Sequence, residues 1–429
     1  MVLLLGTGIL LTVRTRFIQL RRFGASWRLL LMGALGKEYS RGHKGDISPF
    51  QALSSVIANT VGMGNIAGVA TAIYLGGPGA VFWMWMTALC GMATMYSETL
   101  LSIKFRTTAG DGTMAGGPMY YMSRGIKNIR LGAVLAFMFA LAGAAAALLG
   151  DVMIQSNSIA LVFKHSFGVP EVLSGLVIAS LTGLVTIGGI KRIGTVAEKL
   201  VPLMILLFVG GSVLILLIKI REIPATLYLI IQSAFNPTAA AGGFAGAGVI
   251  RTIQYGVSRG LYSNEAGWGC SPIFHGAAKE EDAQRQGILS MNGVFIDTMI
   301  VCTMTALVIL VTGVWTGGET STALTAAAFG SVLPGGEMLV AVCSLLFGLS
   351  TVFVGCYYRE QILQFLFGIR PARAYRYLYV VLVYLGTVFR VEFVWSLSLI
   401  LIAFMTLPNL VGLIALSGVV SSETEKRAD

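Results

Sequence analysis

The sequence predicts an all-α integral membrane protein with about eleven transmembrane helices, and three observations predict this fold class. Of the 429 residues, 55% are hydrophobic and only 12% are charged, whereas a soluble domain carries roughly 25% charged residues. Apolar stretches long enough to cross a hydrocarbon core of ~30 Å recur along the whole chain. Glycine is abundant, at 53 residues, which suits helices that pack closely or unwind within a membrane.

The apolar stretches divide into eleven predicted spans when the chain is read with a window of about 19 residues. They lie near residues 1–20, 50–75, 79–103, 131–150, 171–190, 195–218, 249–274, 287–314, 336–357, 375–391 and 393–416. Two stretches between spans, 225–248 and 316–335, are rich in small or polar residues. We expect both connectors to lie along one membrane face.

The positive charges of the connections predict the orientation, because cytoplasmic loops retain Lys and Arg. Most of the 30 Lys and Arg residues lie in the connection after span 1 and in every second connection after it, including 104–130 and 359–376. The N-terminus is therefore expected outside and the C-terminus in the cytoplasm of a multi-pass cell-membrane protein. The net charge of +10 clusters beside apolar spans, which argues against a nucleic-acid partner.

An internal repeat appears when the chain is shifted by 199 residues. Asn65-Ile-Ala-Gly then falls on Asn264-Glu-Ala-Gly, and Glu98-Thr falls on Asp297-Thr. The same shift carries spans 2–6 approximately onto spans 7–11. Each repeat has five spans, an odd number, so the two repeats enter the membrane in opposite senses, which is a transporter architecture. The predicted units are 1–49 (first span and cytoplasmic loop), 50–220 (first repeat), 221–248 (connector), 249–419 (second repeat) and 420–429 (cytoplasmic tail).

The stretch NTVGMGNIAGVA, residues 59–70, contains the glycine pattern of a dinucleotide-binding loop. Such a loop needs a preceding strand, a following helix and an acidic residue about 20 positions further on. Here the pattern lies inside an apolar span, and the next acidic residue is Glu98. We therefore reject a nucleotide site and interpret the glycines as a break in span 2 near Val61–Gly64.

A broken helix offers sites for charged ligands at membrane depth. Amide groups at the start of its second half attract an anion, and carbonyl groups at the end of its first half attract a cation. Span 7 carries RGLYSNEAGWG at the repeat-equivalent position and is again glycine-rich and polar. Either set of glycines alone is also compatible with tight packing. Interruption of both repeats at matching positions favours one site for a zwitterion and a coupling cation.

Two long motifs resemble a known family. NTVGMGNIAGVATAIYLGGPGAVFWMWMTALCGMATMYSETLLSIKFR and SRGLYSNEAGWGCSPI are similar to motifs of the alanine or glycine:cation symporters, the sodium/alanine carriers of bacteria and archaea. The resemblance covers nearly the whole chain. It implies the five-plus-five inverted-repeat fold of the amino acid-polyamine-organocation superfamily and sodium-coupled import of alanine or glycine. No cofactor beyond the coupling ion is implied. One departure from the family pattern is that about 13 residues precede Arg14, so a truncated first span is expected.

The resemblance also implies roles for individual residues. One sodium site would use carbonyl groups of broken span 2 and oxygens of span 9: Ala58, Val61, Phe347, Ser350 and Thr351. A second cation site would lie near Thr60 and Asn65. The substrate carboxylate would meet the amides of Gly62, Met63 and Gly64, with Asn65 beside them, and the ammonium would meet carbonyls around Tyr262, Ser263 and Asn264. Trp268 either caps a small pocket or is an ordinary packing aromatic.

Among the charged residues inside predicted spans, where an unpaired charge costs several kcal/mol, four are candidates for a functional or bracing role. They are Glu98, Arg259, Glu265 and Asp297. We expect an acid on span 3 to brace broken span 2, and Glu98 and Arg259 to belong to a structural ion-pair network. The roles of Glu265 and Asp297 stay open.

Other function classes fit less well. Coupling to protons would need an acid such as Glu265 or Asp297 beside the substrate. A passive channel is disfavoured by two matched broken helices and by the lack of a ring of charges along a pore. An enzyme or an ATP-driven pump is disfavoured because the sequence holds no H-E-x-x-H metal-binding pattern and no P-loop. Protein partners are not predicted; the expected partners are lipid, sodium and a small amino acid.

Overall fold

The computed structural model describes residues 1–36, 44–236, 248–389 and 391–426. These ranges are almost entirely helical, which confirms the predicted fold class. Strand pairing within them is limited to a short hairpin of β1 (Thr107–Thr108) and β2 (Met114–Ala115), plus one isolated bridge. Of the predicted connector 221–248, residues 237–247 lie outside the described residues.

The described residues up to Asn236 contain twelve α-helices. They are α1 (Val2–Arg14), α2 (Ile18–Arg21), α3 (Phe23–Ala34), α4 (Pro49–Thr60), α5 (Val69–Gly76), α6 (Ala80–Phe105), α7 (Pro118–Gly125), α8 (Ile129–Leu148), α9 (Val152–Phe167), α10 (Glu171–Thr186), α11 (Gly189–Ile218) and, in the connector, α12 (Ile223–Phe235). A π-helical turn, Gly64–Gly68, leads directly into α5.

From residue 248 onward, the described part of the chain contains eight α-helices. They are α13 (Val249–Asn264), α14 (Ser271–Gly276), α15 (Ala283–Val294), α16 (Thr303–Thr312), α17 (Ser321–Gly330), α18 (Gly336–Phe367), α19 (Ile369–Val388) and α20 (Glu392–Glu425). A π-helical segment, Phe295–Cys302, joins α15 to α16 without a break. Large apolar side chains on outer faces, such as Leu206 (71% exposed) and Ile129 (77% exposed), suit contact with lipid tails.

Five continuous helical stretches of the described residues are long and apolar enough to cross a membrane, and one bent pair makes a sixth. The five are Ile129–Phe167, Gly189–Ile218, Ala283–Thr312, Gly336–Phe367 and Ser396–Glu425. Predicted spans 1, 3, 5, 7 and 10 correspond to helices that are shorter or more polar. The count of eleven spans and the proposed domain boundaries therefore stay predictions.

Span 2 is broken where the sequence predicts it. Its first half, α4, begins with a capping box: Ser48 Oγ accepts the Gln51 amide at 3.1 Å, and the Gln51 side chain accepts the Ser48 amide at 3.0 Å. This half ends at Thr60, and the second half, Gly64–Gly76, leaves it at an angle of 52°. The kink therefore lies at Val61–Met63.

Span 7 is interrupted as well, over six residues between Asn264 and Ser271. Glu265 adopts the left-handed conformation with φ 53°, and Gly267 and Gly269 have φ values of 88° and 86°. Glycine adopts such values without steric cost, which explains two of the glycines in the motif. The interruption follows Asn264, whereas the interruption in span 2 precedes the repeat-equivalent Asn65.

Helix packing follows the predicted inverted repeat. α6 packs against α15, and α10 packs against α19, so that spans 3 and 8, and spans 5 and 10, pair as repeat mates. α8 packs against α20, and α18 packs against α11. The first of these contacts joins spans 4 and 11, and the second joins spans 9 and 6. Because span 9 is the repeat mate of span 4, and span 6 is the repeat mate of span 11, the two contacts are equivalent under a pseudo-two-fold axis.

Two elements differ from the sequence-based expectation. The connection after span 4 is not a loop but α9, which continues α8 through a turn at Leu149–Asp151. Its polar residues reduced the apolar signal below that of a span. The connector at 316–335 contains α17, whose Thr325 hydroxyl donates to the Ile66 carbonyl at 3.2 Å. This connector thus reaches broken span 2 instead of lying only along a membrane face.

The contact between α6 and α13 gives a test of the packing. A Cβ at Gly256 would overlap the Ala80 carbonyl oxygen and lie 2.7 Å from Trp83 Cβ. We expect Gly256→Ala to lower stability by about 1–3 kcal/mol, as overpacking does, measured by thermal unfolding in detergent. Gly210→Ala is the matched control, because nothing lies within 4 Å of its added Cβ. Equal melting temperatures for the two variants would contradict the packing described.

Candidate functional site

The two π-helical segments meet through one pair of side chains. Asn65 Nδ2, on the segment in span 2, donates to Asp297 Oδ1 at 2.7 Å and to the Asp297 carbonyl at 3.2 Å. Asn65 Oδ1 accepts the Gly62 amide at 2.9 Å. Irregular helix of this kind is frequent at functional sites. The side chain of Asn65 therefore links the kink of span 2 to span 8.

The Asp297 carboxylate is fully buried and held by neutral donors. Ser263 and Thr298 donate their hydroxyls to Oδ2 at 2.8 and 2.7 Å. Cys302 Sγ lies 3.3 Å from Asn65 Nδ2. No Lys, Arg or His forms an ion pair with Asp297 among the described residues. The site thus combines a carboxylate, two hydroxyls and an amide without a compensating side-chain cation.

Glu98 braces span 7, so the expectation that it braces span 2 is wrong. Its Oε2 accepts the Gly267 amide at 3.2 Å, and its Oε1 accepts Asn409 Nδ2 at 2.6 Å. Asn409 Nδ2 also donates to the Gly267 carbonyl at 2.8 Å, and Tyr121 donates to the Asn409 side-chain oxygen. The expected ion pair of Glu98 with Arg259 is absent from the described residues. The contacts of the span-3 acid are thus with the interruption in span 7 and with α20.

The residues expected to bind sodium come together beside the kink of span 2. Ser350 Oγ and Thr351 Oγ1 lie 3.1 and 3.2 Å from the Ala58 carbonyl oxygen, and 2.9 and 3.0 Å from that of Phe347. These four oxygens are buried at the end of a half-helix. Val61 follows directly after that half-helix, at the kink. The Thr60 hydroxyl donates within its own helix, to Val56 at 3.1 Å.

The residues expected to bind substrate lie on both interruptions. The Gly62 amide donates to Asn65 Oδ1, whereas Met63 and Gly64 stand at the start of the second half-helix, where amides lack intrahelical acceptors. Asn264 instead accepts the Ala266 amide at 3.1 Å. Tyr262 and Trp268 make an edge-to-face contact with ring centroids 5.6 Å apart, so they form an aromatic wall beside the interruption in span 7.

A small cavity lies between the two interruptions, with a volume of about 80 Å³. Its lining comprises Asn59, Thr60, Gly62, Gly64, Asp151, Ile154, Gln155, Tyr262, Glu265, Trp268, Thr351, Tyr358, Arg359, Ser398 and Ile402. This volume is several times the about 10–15 Å³ that a single water needs. The cavity therefore fits a small polar molecule.

An ion pair in the cavity wall was missed by the sequence analysis. Arg359 donates Nε and Nη2 to the two carboxylate oxygens of Asp151 at 2.7 and 2.8 Å, with both side chains about nine-tenths buried. Arg359 had been counted among the cytoplasmic charges, but it lies within α18. The hydropathy window ended span 9 just before it. Only the presence of α9, which carries the partner acid beside its first turn, reveals the pairing.

A second, wider cavity of about 920 Å³ continues from the small one. The two cavities share four wall residues, namely Gly64, Ile154, Gln155 and Tyr262. The wide cavity extends along α5, α9 and α17 to the start of α18, and Arg259 lines it. Arg259 thus faces a space large enough for water and does not pair with an acid among the described residues.

The opposite end of the bundle is closed by hydrogen bonds between loops. Arg106 donates to the carbonyls of Ala278 at 2.7 Å and Gly276 at 3.3 Å, beyond the end of α14. Asp46, just before α4, accepts the Met114 amide at 2.8 Å. Burial raises the pKa of the Asp46 carboxyl above its usual value, although the Met114 hydrogen bond lowers it. These contacts tie both broken spans to the hairpin.

Comparison with known proteins identifies relatives over the whole chain. A model of the sodium:alanine symporter family matches residues 1–428. The sodium/alanine symporter AgcS of Methanococcus maripaludis is 43% identical, over 99% of this chain and 93% of the relative. A protein of Bacillus subtilis named "Probable sodium/glutamine symporter GlnT" is 36% identical, over 98% of this chain and 85% of the relative.

A solved structure supports the fold independently. The substrate-bound, outward-open structure of a Na⁺-coupled sialic acid symporter aligns with a TM-score of 0.58 and 13% identity, covering 94% of each chain. At this identity the likeness concerns the fold alone.

The buried ion pair gives a testable consequence. Asp151→Ala removes the partner of Arg359, and we expect it to lower stability by about 3–5 kcal/mol because a buried guanidinium is left uncompensated. Combining it with Arg359→Met removes the charge as well and is expected to restore most of the loss. Thermal unfolding in detergent measures both. A double variant no more stable than Asp151→Ala would contradict a direct pairing.

Proposed function

Because this chain belongs to the sodium:alanine symporter family, and is a multi-pass membrane transporter and not an enzyme, we propose that it imports small neutral amino acids with sodium. Alanine and glycine are the proposed substrates. The observation that carries the proposal is the arrangement of one cation-sized cluster of oxygens and one small cavity at the two helix interruptions. Both features use the half-helix ends that the fold leaves open.

The proposed sodium site consists of the Ala58 and Phe347 carbonyls with the Ser350 and Thr351 hydroxyls. Sodium is a hard cation, and carbonyl and hydroxyl oxygens are suitable ligands for such ions. The negative end of α4 adds a favourable partial charge, and hydroxyl groups can rotate to direct their lone pairs at the ion. We place Val61 as the fifth residue of this site, at the kink itself.

A second cation site belongs to the same proposal, near Thr60 and Asn65. The Asp297 carboxylate beside Asn65 is supported by neutral donors alone. A buried carboxylate without a paired charge is costly at membrane depth, so a bound cation there would stabilise it.

The substrate proposal follows from the size and polarity of the small cavity. Its volume of about 80 Å³ suits molecules of the size of alanine, glycine or serine. The Met63 and Gly64 amides are placed to receive a carboxylate. Ser263 and Asn264 are engaged with Asp297 and the Ala266 amide, so their carbonyl groups, not their side chains, are the proposed contacts. Trp268, next to Tyr262, is proposed to limit the substrate's side chain.

Alternating access is the proposed mechanism. The wide cavity reaches the substrate site from one end, whereas the Arg106 and Asp46 contacts close the other. Under the charge-based orientation, the open end faces outside and the closed end faces the cytoplasm. The described conformation is then the outward-facing one, and import requires the closed contacts to separate after the outer cavity closes.

Uptake by proteoliposomes tests the coupling. With an inward sodium gradient we expect alanine and glycine to accumulate above their external concentration, and replacement of sodium by potassium at constant pH to abolish accumulation. Uptake that continues without sodium but collapses with the proton gradient would favour proton coupling. Equilibration without accumulation would indicate a passive channel.

Thr351→Ala tests the sodium site. Loss of one ligand hydroxyl is expected to raise the sodium concentration for half-maximal uptake about tenfold or more, from a loss of roughly 1.5–3 kcal/mol. Thr312→Ala is the matched control, because that hydroxyl donates only to carbonyls of its own helix. The site assignment fails if the sodium dependence of Thr351→Ala matches that of the control.

A further inference from the structure

Two carboxyl groups and one guanidinium line the small cavity, and one carboxyl group pairs with the guanidinium. Asp151 and Arg359 form a bidentate pair. The remaining guanidinium nitrogen of Arg359 donates to the Gly355 carbonyl at 2.7 Å. All three nitrogens of Arg359 are thus engaged, and Glu265 is left as the surplus negative charge of the cavity.

Glu265 is held so that its carboxylate stays at the cavity. Its Oε2 accepts Asn59 Nδ2 at 2.7 Å, and no Lys, Arg or His forms an ion pair with it among the described residues. Its backbone is left-handed, with φ 53°. A non-glycine residue in this region is strained, and such strain clusters at ligand sites. Asn59 lies on the first half of span 2, so this contact spans both interruptions.

Gln155 supplies a second, independent observation. Its side-chain oxygen, Oε1, is buried and has no hydrogen-bond partner among the described residues. Gln155 lies on α9 and lines both the small and the wide cavity. A buried acceptor without a donor is unfavourable, so a ligand donor at this position would stabilise the site.

We propose that Glu265 and Gln155 bind the α-ammonium group of the transported amino acid, with Asn59 positioning the carboxylate. The inference rests on the proposed function and names the recognition element of that same site. An ammonium group has three donors and no acceptor, which matches one carboxylate oxygen and one amide oxygen. The substrate charge also balances the surplus charge of the cavity.

This assignment narrows the substrate class. The site then selects substrates by their free α-ammonium group. Propionate, which lacks this group, and N-acetylated amino acids would leave Glu265 and Gln155 without an ammonium donor. A site built to bond a polar substrate group rejects analogues lacking that group far more strongly than it rejects one extra methyl group. Selection for small size by the aromatic wall is then a separate and weaker filter.

Glu265→Gln tests the proposal through binding of labelled alanine, competition by propionate, and the thermal stabilisation produced by sodium alone. We expect alanine affinity to fall about 10- to 100-fold with loss of the charge-assisted bond. Weak competition by propionate and the sodium-induced shift in melting temperature are expected to stay unchanged. Gln155→Leu is expected to lower alanine affinity in the same selective way. Glu337→Gln is the matched control, since Glu337 is exposed in the wide cavity.

Alanine affinity within twofold of wild type in Glu265→Gln would overturn the proposal. An equal loss for alanine and propionate, or loss of the sodium-induced shift, would also overturn it, because either would assign Glu265 to general structure or to the cation site. If Glu265→Gln does not fold, unchanged alanine affinity in Gln155→Leu overturns it instead. Failure of the proposed function is recognised separately: wild-type protein would then bind no small α-amino acid in sodium.

Discussion

Where the two helices are interrupted, backbone amide and carbonyl groups lose their intrahelical partners, and lipid supplies none. Other side chains of the bundle must therefore bind these groups, and this constraint determines how the repeats pack. The partners are crossed between the repeats. Glu98 of the first repeat accepts the Gly267 amide of the second. Asp297 of the second repeat accepts Asn65 of the first, and Asn65 accepts the amide of Gly62. Each interruption is thus stabilised by an acid from the opposite half.

The same arrangement determines where charge is available for ligands. Asp151 and Arg359 satisfy each other, whereas Glu265 and Asp297 are held by neutral donors. A site with two such carboxylates, open carbonyls and a half-helix N-terminus suits a cation together with a zwitterion. Binding of one then lowers the electrostatic cost of binding the other, which is a physical basis for coupling. The geometry of the interruptions and the chemistry of coupling are therefore two aspects of one set of contacts.

Sequence analysis identified the fold class and the two interruptions because both leave strong local signals. Glycines in an apolar span indicated the kink at Val61–Met63, and the repeat shift indicated its counterpart after Asn264. It also grouped Ala58, Phe347, Ser350 and Thr351, although only through family resemblance. In the structure, the hydroxyl oxygens of Ser350 and Thr351 lie within hydrogen-bond distance of the carbonyl oxygens of the other two residues.

The remaining features depend on contacts that no linear pattern encodes. α9 is polar because it lines a cavity, so hydropathy did not distinguish it from a loop. From sequence alone, Arg359 was assigned to a cytoplasmic loop, and only the structure shows that it pairs with Asp151. The direction in which Glu98 points is determined by the packing of α6 between α13 and α15. The repeat shift showed only that Glu98 and Asp297 occupy equivalent positions in the two repeats.

The crossed contacts also affect how the chain is assembled in the membrane. Synthesis proceeds from the N-terminus, so the first repeat is complete before Gly267 exists, and Asn409 belongs to the last helix, α20. During that interval the carboxyl group of Glu98 lacks both of its final donors. The first repeat therefore reaches its lowest-energy packing only after α20 has been inserted, which makes folding of the bundle a late and cooperative event.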